Sequence, residues 1–307
     1  MIRIGLVGVG KIAHDQHLPA LAADPRFQLV AAASRSKPDL GAIPVFHDIE
    51  AMLARGPALD AVALCTPPQA RRETALAALR AGKHVFLEKP PGATVSEVAE
   101  LAAVARDHGV VLFTSWHSRF AAGVPRAKAW LAQRPVRKLA IEWREDVRRW
   151  HPGQTWIWQA GGLGVFDPAI NALSILTEIL PNEVFVTDAR LQVPENVQSP
   201  VAGHVAMTTL SGAAITADLD FLQTGPQTWD ITAWTDDGVL KLSLGGAEMT
   251  IDGIPVEVGE NREYPGLYDR FATLVERGES EVDVRPLTLV ADAFLVGTRE
   301  IVEAFVE

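Results

Sequence analysis

The sequence predicts an N-terminal α/β domain with a doubly wound parallel sheet, followed by an α+β domain built on a large open, mostly antiparallel sheet. Three observations predict this. From Ile2 to Ser115 short apolar runs of strand character alternate with helical patterns, the order of events in a doubly wound sheet. A glycine-rich turn, Gly8-Val9-Gly10-Lys11-Ile12-Ala13, closes the first apolar run. Beyond Trp116 strands follow strands through short turns, which suits an open antiparallel sheet. The expected domains are 1–117 and 118–307.

Each element has its own justification. Ile2 to Val7 is a buried strand that runs into the glycines. The first glycine permits a sharp turn, the second lets backbone approach a pyrophosphate, and the small Ala13 lets the next helix pack closely on the strand. That helix carries Leu18, Leu21 and Ala22 on one face, and Gln28 to Ala33 forms the second strand. Val45-Phe46 precedes a helical pattern from Asp48 to Ala54. Asp60 to Cys65 is nearly all apolar, as a strand buried on both faces should be, and it ends in Thr66-Pro67-Pro68. A helix from Ala70 to Ala81 stops at Gly82, a strand from His84 to Leu87 ends in Glu88-Lys89-Pro90, and a helix from Val95 to His108 stops at Gly109 before a last strand, Val110 to Ser115.

Ligands of such sheets gather at the carboxyl ends of the strands. The second strand ends in Ser34-Arg35-Ser36-Lys37, with no acid to accept from a ribose 2′-hydroxyl. Ser34 and Arg35 can instead donate to a 2′-phosphate. NADP is therefore the expected cofactor, with NAD as the alternative. The candidate cofactor contacts are Gly8, Gly10, Lys11, Ile12, Ser34, Arg35, Thr66, Pro67, Glu88 and Lys89.

In the second half, a helix near Gly123 to Gln133 precedes a long strand, Val136 to Asp146, and a tryptophan-rich loop from Trp150 to Trp158. Gly161-Gly162-Leu163-Gly164 introduces a helix through Leu180, several strands follow, and helices near Tyr264 to Arg277 and Pro286 to Val306 are expected to finish the chain. Hydrophobic residues make up 48% and charged residues 21% of the 307 residues, a composition typical of folded globular domains. The formal net charge of −10 removes the electrostatic basis for general nucleic-acid or anionic-membrane binding. One cysteine, Cys65, excludes an internal disulfide framework, and no apolar run reaches membrane-spanning length. With a strand starting at the second residue, no secretory leader is expected, and a cytoplasmic location is the default. His14 and His17 lie three apart on the first helix, but no Cys or acidic partner stands at convincing spacing, so no metal site is expected.

Gly8-x-Gly10-x-x-Ala13, Thr66-Pro67-Pro68, Glu88-Lys89-Pro90 and Gly161-Gly162 followed by Asp167-x-x-x-Asn171 resemble the Gfo/Idh/MocA oxidoreductase family along essentially the whole chain. More narrowly, Glu145 to Gln154 and Gly164 to Pro168 look like the bacterial L-arabinose/D-galactose 1-dehydrogenases of that family. The resemblance implies oxidation of the anomeric carbon of an aldopyranose to a lactone, with NAD(P) taking the hydride. Many members carry a histidine base four residues after the Asp. Here Asn171 stands there, and an amide cannot take that proton.

The resemblance implies Lys89, Asp167 and Asn171 as catalytic residues, with Glu145 and His151 joining them in binding the sugar. Asp167 and Asn171, at i and i+4, share one helix face. Lys89 is expected to polarise the anomeric hydroxyl, and Asp167 to accept its proton. The expected partners are a small aldose and, through the open sheet face, further copies of the chain. Dehydrogenation of another sugar or polyol hydroxyl, or a sensor that keeps the fold without catalysis, remain the alternatives. His117 and Arg119 border the last strand of the first half without an assigned role.

Overall fold

In the computed structural model, which describes Met1–Glu307, six parallel strands organise the first unit. They are β1 (Ile2–Val7), β2 (Phe27–Ala33), β3 (Val45–Phe46), β4 (Ala61–Leu64), β5 (His84–Leu87) and β6 (Leu112–Thr114), bonded in the order β3-β2-β1-β4-β5-β6. The order reverses between β1 and β4, which opens a crevice at their carboxyl ends. Ile4, Leu6 and every residue of β4 are buried, as a sheet covered on both faces requires. The helices are α1 (Leu18–Ala23), α2 (Ile49–Arg55), α3 (Arg71–Arg80) and α4 (Val95–Asp107). Asp48 caps α2 by accepting from the Ala51 N–H at 2.7 Å, and Thr94 caps α4 by accepting from the Glu97 N–H at 3.2 Å.

The second unit is a nine-stranded sheet of β7 (Val136–Arg144), β8 (Val184–Pro194), β9 (Ala202–Thr209), β10 (Ala214–Asp220), β11 (Thr228–Thr235), β12 (Gly238–Ser243), β13 (Glu248–Ile251), β14 (Ile254–Pro255) and β15 (Thr298–Val302). The order is β14-β13-β12-β11-β7-β10-β9-β8-β15. Neighbours are antiparallel except β7 with β10 and β8 with β15. Leu139, Ile141, Ile215, Ala217, Ile231 and Ala233 alternate onto a buried face. On the other face Ala206, Thr216, Ala140 and Thr232 pair in one row across four strands. The helices that follow the first four are α5 (Val124–Leu131), α6 (Val147–Trp150), α7 (Phe166–Ile179), α8 (Glu263–Arg277) and α9 (Arg285–Val296).

One expectation is corrected. The helix expected from Pro286 to Val306 ends at Val296, and Thr298–Val302 is the edge strand β15, parallel to β8. Thr298, Ile301 and Val302 are β-branched and suit a strand. The first unit comprises Met1–Trp116 and Tyr264–Val284, the second His117–Glu263 and Arg285–Glu307. The aromatic face of Tyr264–Val284 packs in the first unit. Tyr268 stacks on Phe86 with centroids 5.2 Å apart, Phe271 meets Phe86 edge-on at 5.5 Å, and Phe271 stacks on Phe113 at 6.0 Å. These rings cover apolar surface of β5 and β6.

Candidate active site

In the first unit β1 delivers the chain to Gly8, whose N–H bonds to the Ala33 carbonyl at 2.9 Å and whose φ is +86°. A Cβ there would lie 2.9 Å from the backbone of Cys65 and Thr66, so glycine is required by conformation and by close approach. Gly10 differs, because a Cβ there would meet nothing within 4 Å. No protein atom demands glycine at position 10, and the open space beside it suits the approach of a pyrophosphate. The His14 N–H returns to the Gly10 carbonyl at 3.1 Å, and the helix passes through a π-turn, Ala13–His17, before α1. Lys11 is exposed and pairs with Asp15, and Ile12 is also exposed. At the end of β4 the Thr66 Oγ1 is buried without a hydrogen-bond partner, a polar atom that a ligand could satisfy. Pro67 follows it and precedes a short helical turn. Beyond β2, Ser34 Oγ lies 3.0 Å from Ser36 Oγ, and Arg35 is exposed in the turn. An exposed guanidinium, an open glycine and an orphaned hydroxyl fit a dinucleotide cofactor.

After β5 the chain enters Glu88-Lys89-Pro90, where Glu88 is buried and Lys89 partly exposed. Glu88 accepts from the Tyr264 hydroxyl at 2.6 Å and from the Lys89 N–H, and lies 3.3 Å from His17 Nε2. The other imidazole nitrogen is 2.7 Å from the Tyr268 hydroxyl. Burial alone would push the His17 imidazole down, but Cys65, Tyr268 and the Glu88 carboxylate raise it well above its ordinary value. Burial pushes the Tyr268 phenol up to about 12. His17 thus belongs to a carboxylate–tyrosine network.

Sequence reasoning missed Arg71. Its buried guanidinium donates to the carbonyls of Thr66, Glu88 and Pro90, tying together the loops that follow β4 and β5. The signal was available: Arg71 stands at i−4 from Ala75 and i−8 from Leu79, on the buried face of α3.

In the second unit Asp167 lies in the first turn of α7 and is 1% exposed. The helix begins at Phe166 with Val165 at the cap position and no side-chain cap bond, so Asp167 does not serve as its N-cap. A Cβ on Gly162 would sit 2.2 Å from the Trp156 carbonyl, and one on Gly164 2.3 Å from the Pro200 carbonyl. Gly162 lets the entry to α7 pass tightly under the tryptophan loop, and Gly164 lets it pass close to Ser199 and Pro200. Asn171, one turn on, is half-buried.

Glu145 follows β7 and is buried, its Oε2 accepting from the Trp229 indole N–H at 2.7 Å. His151 lies between two carboxylates, with Nε2 3.3 Å from Glu145 Oε1 and Nδ1 3.7 Å from Asp167 Oδ2. Its ring meets Phe221 edge-on at 5.4 Å, while Trp150 and Trp229 pack edge to face at 5.5 Å. Two carboxylates, an imidazole and an indole form a set of acceptors and donors suited to hydroxyl groups, and a carboxylate there can take a proton. Nothing in the sequence pattern alone linked Trp229 to Glu145; that bond needs β11 beside β7. Arg119 braces α7, donating to the Ser174 carbonyl at 3.1 Å and to Thr177 Oγ1 at 3.0 Å. His117 pairs with Glu263. Burial alone would raise the Glu263 carboxyl, but His117 brings it below its usual range.

Comparison with known proteins adds four findings. A family model described as an oxidoreductase family with an NAD-binding Rossmann fold matches residues 2–115. The chain is 46% identical over 304 residues to galactose 1-dehydrogenase of Pseudomonas fluorescens, covering 99% of this chain and 98% of that one. Among solved structures, D-galactose-1-dehydrogenase protein from Rhizobium etli superposes with a TM-score of 0.94 at 55% identity, covering 99% and 97% of the two chains. A 3-ketoreductase from Actinomadura kijaniata, solved with TDP-benzene and NADP, has a TM-score of 0.83 at 21% identity, covering 98% of this chain and 99% of that one, and shares the fold.

Proposed function

The chain belongs to the Gfo/Idh/MocA family of oxidoreductases, and from that premise we propose that it is an NADP-preferring aldose 1-dehydrogenase acting on galactose- or arabinose-type aldopyranoses. The observation that carries this reading is the cluster of Glu145, His151 and Asp167, with Trp229 bonded to Glu145. Likeness to galactose 1-dehydrogenases extends over the second unit as well as the first.

Gly8, Gly10, Lys11 and Ile12 would hold the pyrophosphate, Ser34 and Arg35 a 2′-phosphate, and Thr66, Pro67, Glu88 and Lys89 the nicotinamide half. The bound cofactor supplies the hydride acceptor. Lys89 holds and polarises the anomeric hydroxyl, and Asp167 takes its proton, directly or through a water, as the C1 hydrogen leaves with its electron pair and the lactone carbonyl forms. Asn171 fixes a sugar hydroxyl. Glu145 and His151 read further hydroxyls, because a buried polar partner left unpaired penalises a sugar that lacks one. Trp150 and Trp229 offer apolar surface to the sugar's C–H face. The sheet face bearing Ala140, Ala206, Thr216 and Thr232 is the surface we assign to a second copy of the chain.

The test is reduced-nicotinamide absorbance with NADP or NAD across D-galactose, L-arabinose, D-xylose, D-glucose and myo-inositol, for wild type and Lys89→Ala. Turnover on the first two sugars, stronger with NADP and lost in the variant, is expected. Cofactor binding without turnover on any sugar would replace the enzyme by a sensor.

A further inference from the structure

We propose that Phe305–Glu307, the segment beyond β15, is a positioning strap for the loop that carries His151. Between Glu145 and the start of α7 that loop has only the four-residue helix α6 and a short 3₁₀ turn, Thr155–Trp158. Such a stretch has few long-range bonds of its own to hold one conformation. The strap touches it on both sides of His151. Before the histidine, Arg148 donates from Nε and Nη2 to the Val306 carbonyl at 3.2 and 2.7 Å, and its guanidinium lies 5.2 Å from the Phe305 ring centre. After it, the Gly153 N–H donates to the Glu307 carboxylate, and Trp158 packs on Phe305 with centroids 4.7 Å apart.

The strap is itself anchored. The Asn196 side chain accepts from the Phe305 N–H and donates to the Phe305 carbonyl, both at 2.8 Å, a pairing like that of a neighbouring strand. From Phe305 a line of rings leads inward: Trp158 packs on Phe221 at 5.7 Å, and Phe221 meets His151 at 5.4 Å. Phe305 therefore acts on His151 through Trp158 and Phe221 while Arg148 holds the other flank. It is a positioning residue, since nothing places it against a substrate. Its kinetic consequence rests on the aldose-dehydrogenase reading; its mechanical consequence does not.

The experiment uses the full chain with Phe305→Ala and, in case that variant does not fold, Arg148→Gln, an exposed change that removes the fork to Val306. Hydrogen exchange by mass spectrometry is followed in peptides spanning 147–158, with first-unit peptides as the reference. Exchange in the loop should accelerate about tenfold in either variant, since charge-assisted bonds and packing that close the loop are lost, and first-unit peptides should not change. With D-galactose and saturating NADP, KM should rise about tenfold as the imidazole loses its fixed position, with NADP affinity kept and Phe305→Tyr restoring both readouts. Loop exchange equal to wild type in a folded variant overturns the strap, as does accelerated exchange with an unchanged KM. If the wild type oxidises none of the sugars, the functional reading falls and loop exchange alone decides the strap.

Discussion

In the first unit the candidate site is made largely of backbone, turns at the ends of parallel strands, whereas in the second it is made of side chains delivered by elements of different kinds. Gly8 and Gly10 act by what they lack, and the loops after β4 and β5 are clamped by one guanidinium through three carbonyls. Glu145, His151, Asp167 and Trp229 arrive from a strand end, a loop, a helix start and a neighbouring strand. A ligand common to many enzymes can be held by main chain that any sequence of the right shape provides. A sugar must be told from its epimers, and only side chains supply that variety.

The sharpest break in this contrast is Asp167→Asn. Turnover should fall about 10²–10⁴-fold, the range for a lost general base, with NADP affinity kept, as steady-state kinetics and fluorescence titration would report. Equal loss of cofactor affinity would mean that the side-chain cluster is not a substrate site. Next comes Trp229→Phe. It removes a hydrogen bond to a buried carboxylate, worth about 1.5–3 kcal/mol, and should raise the sugar KM roughly tenfold or more. An unchanged KM would leave Glu145 without a part in sugar binding.

The glycines test the backbone side. Gly8→Ala should destabilise the protein by about 1–3 kcal/mol through its left-handed φ and the backbone contact, read as a lower urea midpoint. Gly10→Ala should leave the stability within about 0.5 kcal/mol of wild type and still weaken NADP binding. A Gly10→Ala protein that binds NADP normally would remove the pyrophosphate from that turn.

The smallest effect concerns pH. His17 is raised in the folded state, so the stability it contributes is fully present below its unfolded value of about 6.5 and is lost as pH rises through the native one. The Tm difference between wild type and His17→Gln should therefore be largest near pH 6 and shrink as pH rises above it. A constant difference would mean that the imidazole stays neutral.

The same contrast explains what could be seen in the sequence. The strand–glycine–helix unit and the alternation through Ser115 are local patterns, and their elements appear within a residue or two of expectation at most ends. Asp167 and Asn171 could be paired by helical spacing, but Glu145 and His151 were named only through a family resemblance. The Trp229 bond depends on the register that sets Trp229 opposite Trp143. Arg71 and His17 are polar residues on buried helix faces, a signal easily taken as noise until their carbonyl and carboxylate partners are known. Tyr264, Tyr268 and Phe271 formed a visible apolar stripe, yet spacing along a helix says nothing about which core receives it.

The chain leaves the first unit at Trp116 and returns to it only with Tyr264. On the ribosome, at roughly 5–20 residues per second, the N-terminal sheet waits on the order of ten seconds or more before Tyr268 and Phe271 emerge to cover Phe86 and Phe113. During that interval the rings face solvent or a chaperone, and a fragment cut at residue 117 would stay in that condition permanently. Anyone grafting this nucleotide-binding module onto another protein must therefore carry two pieces of chain, the second being Tyr264–Val284.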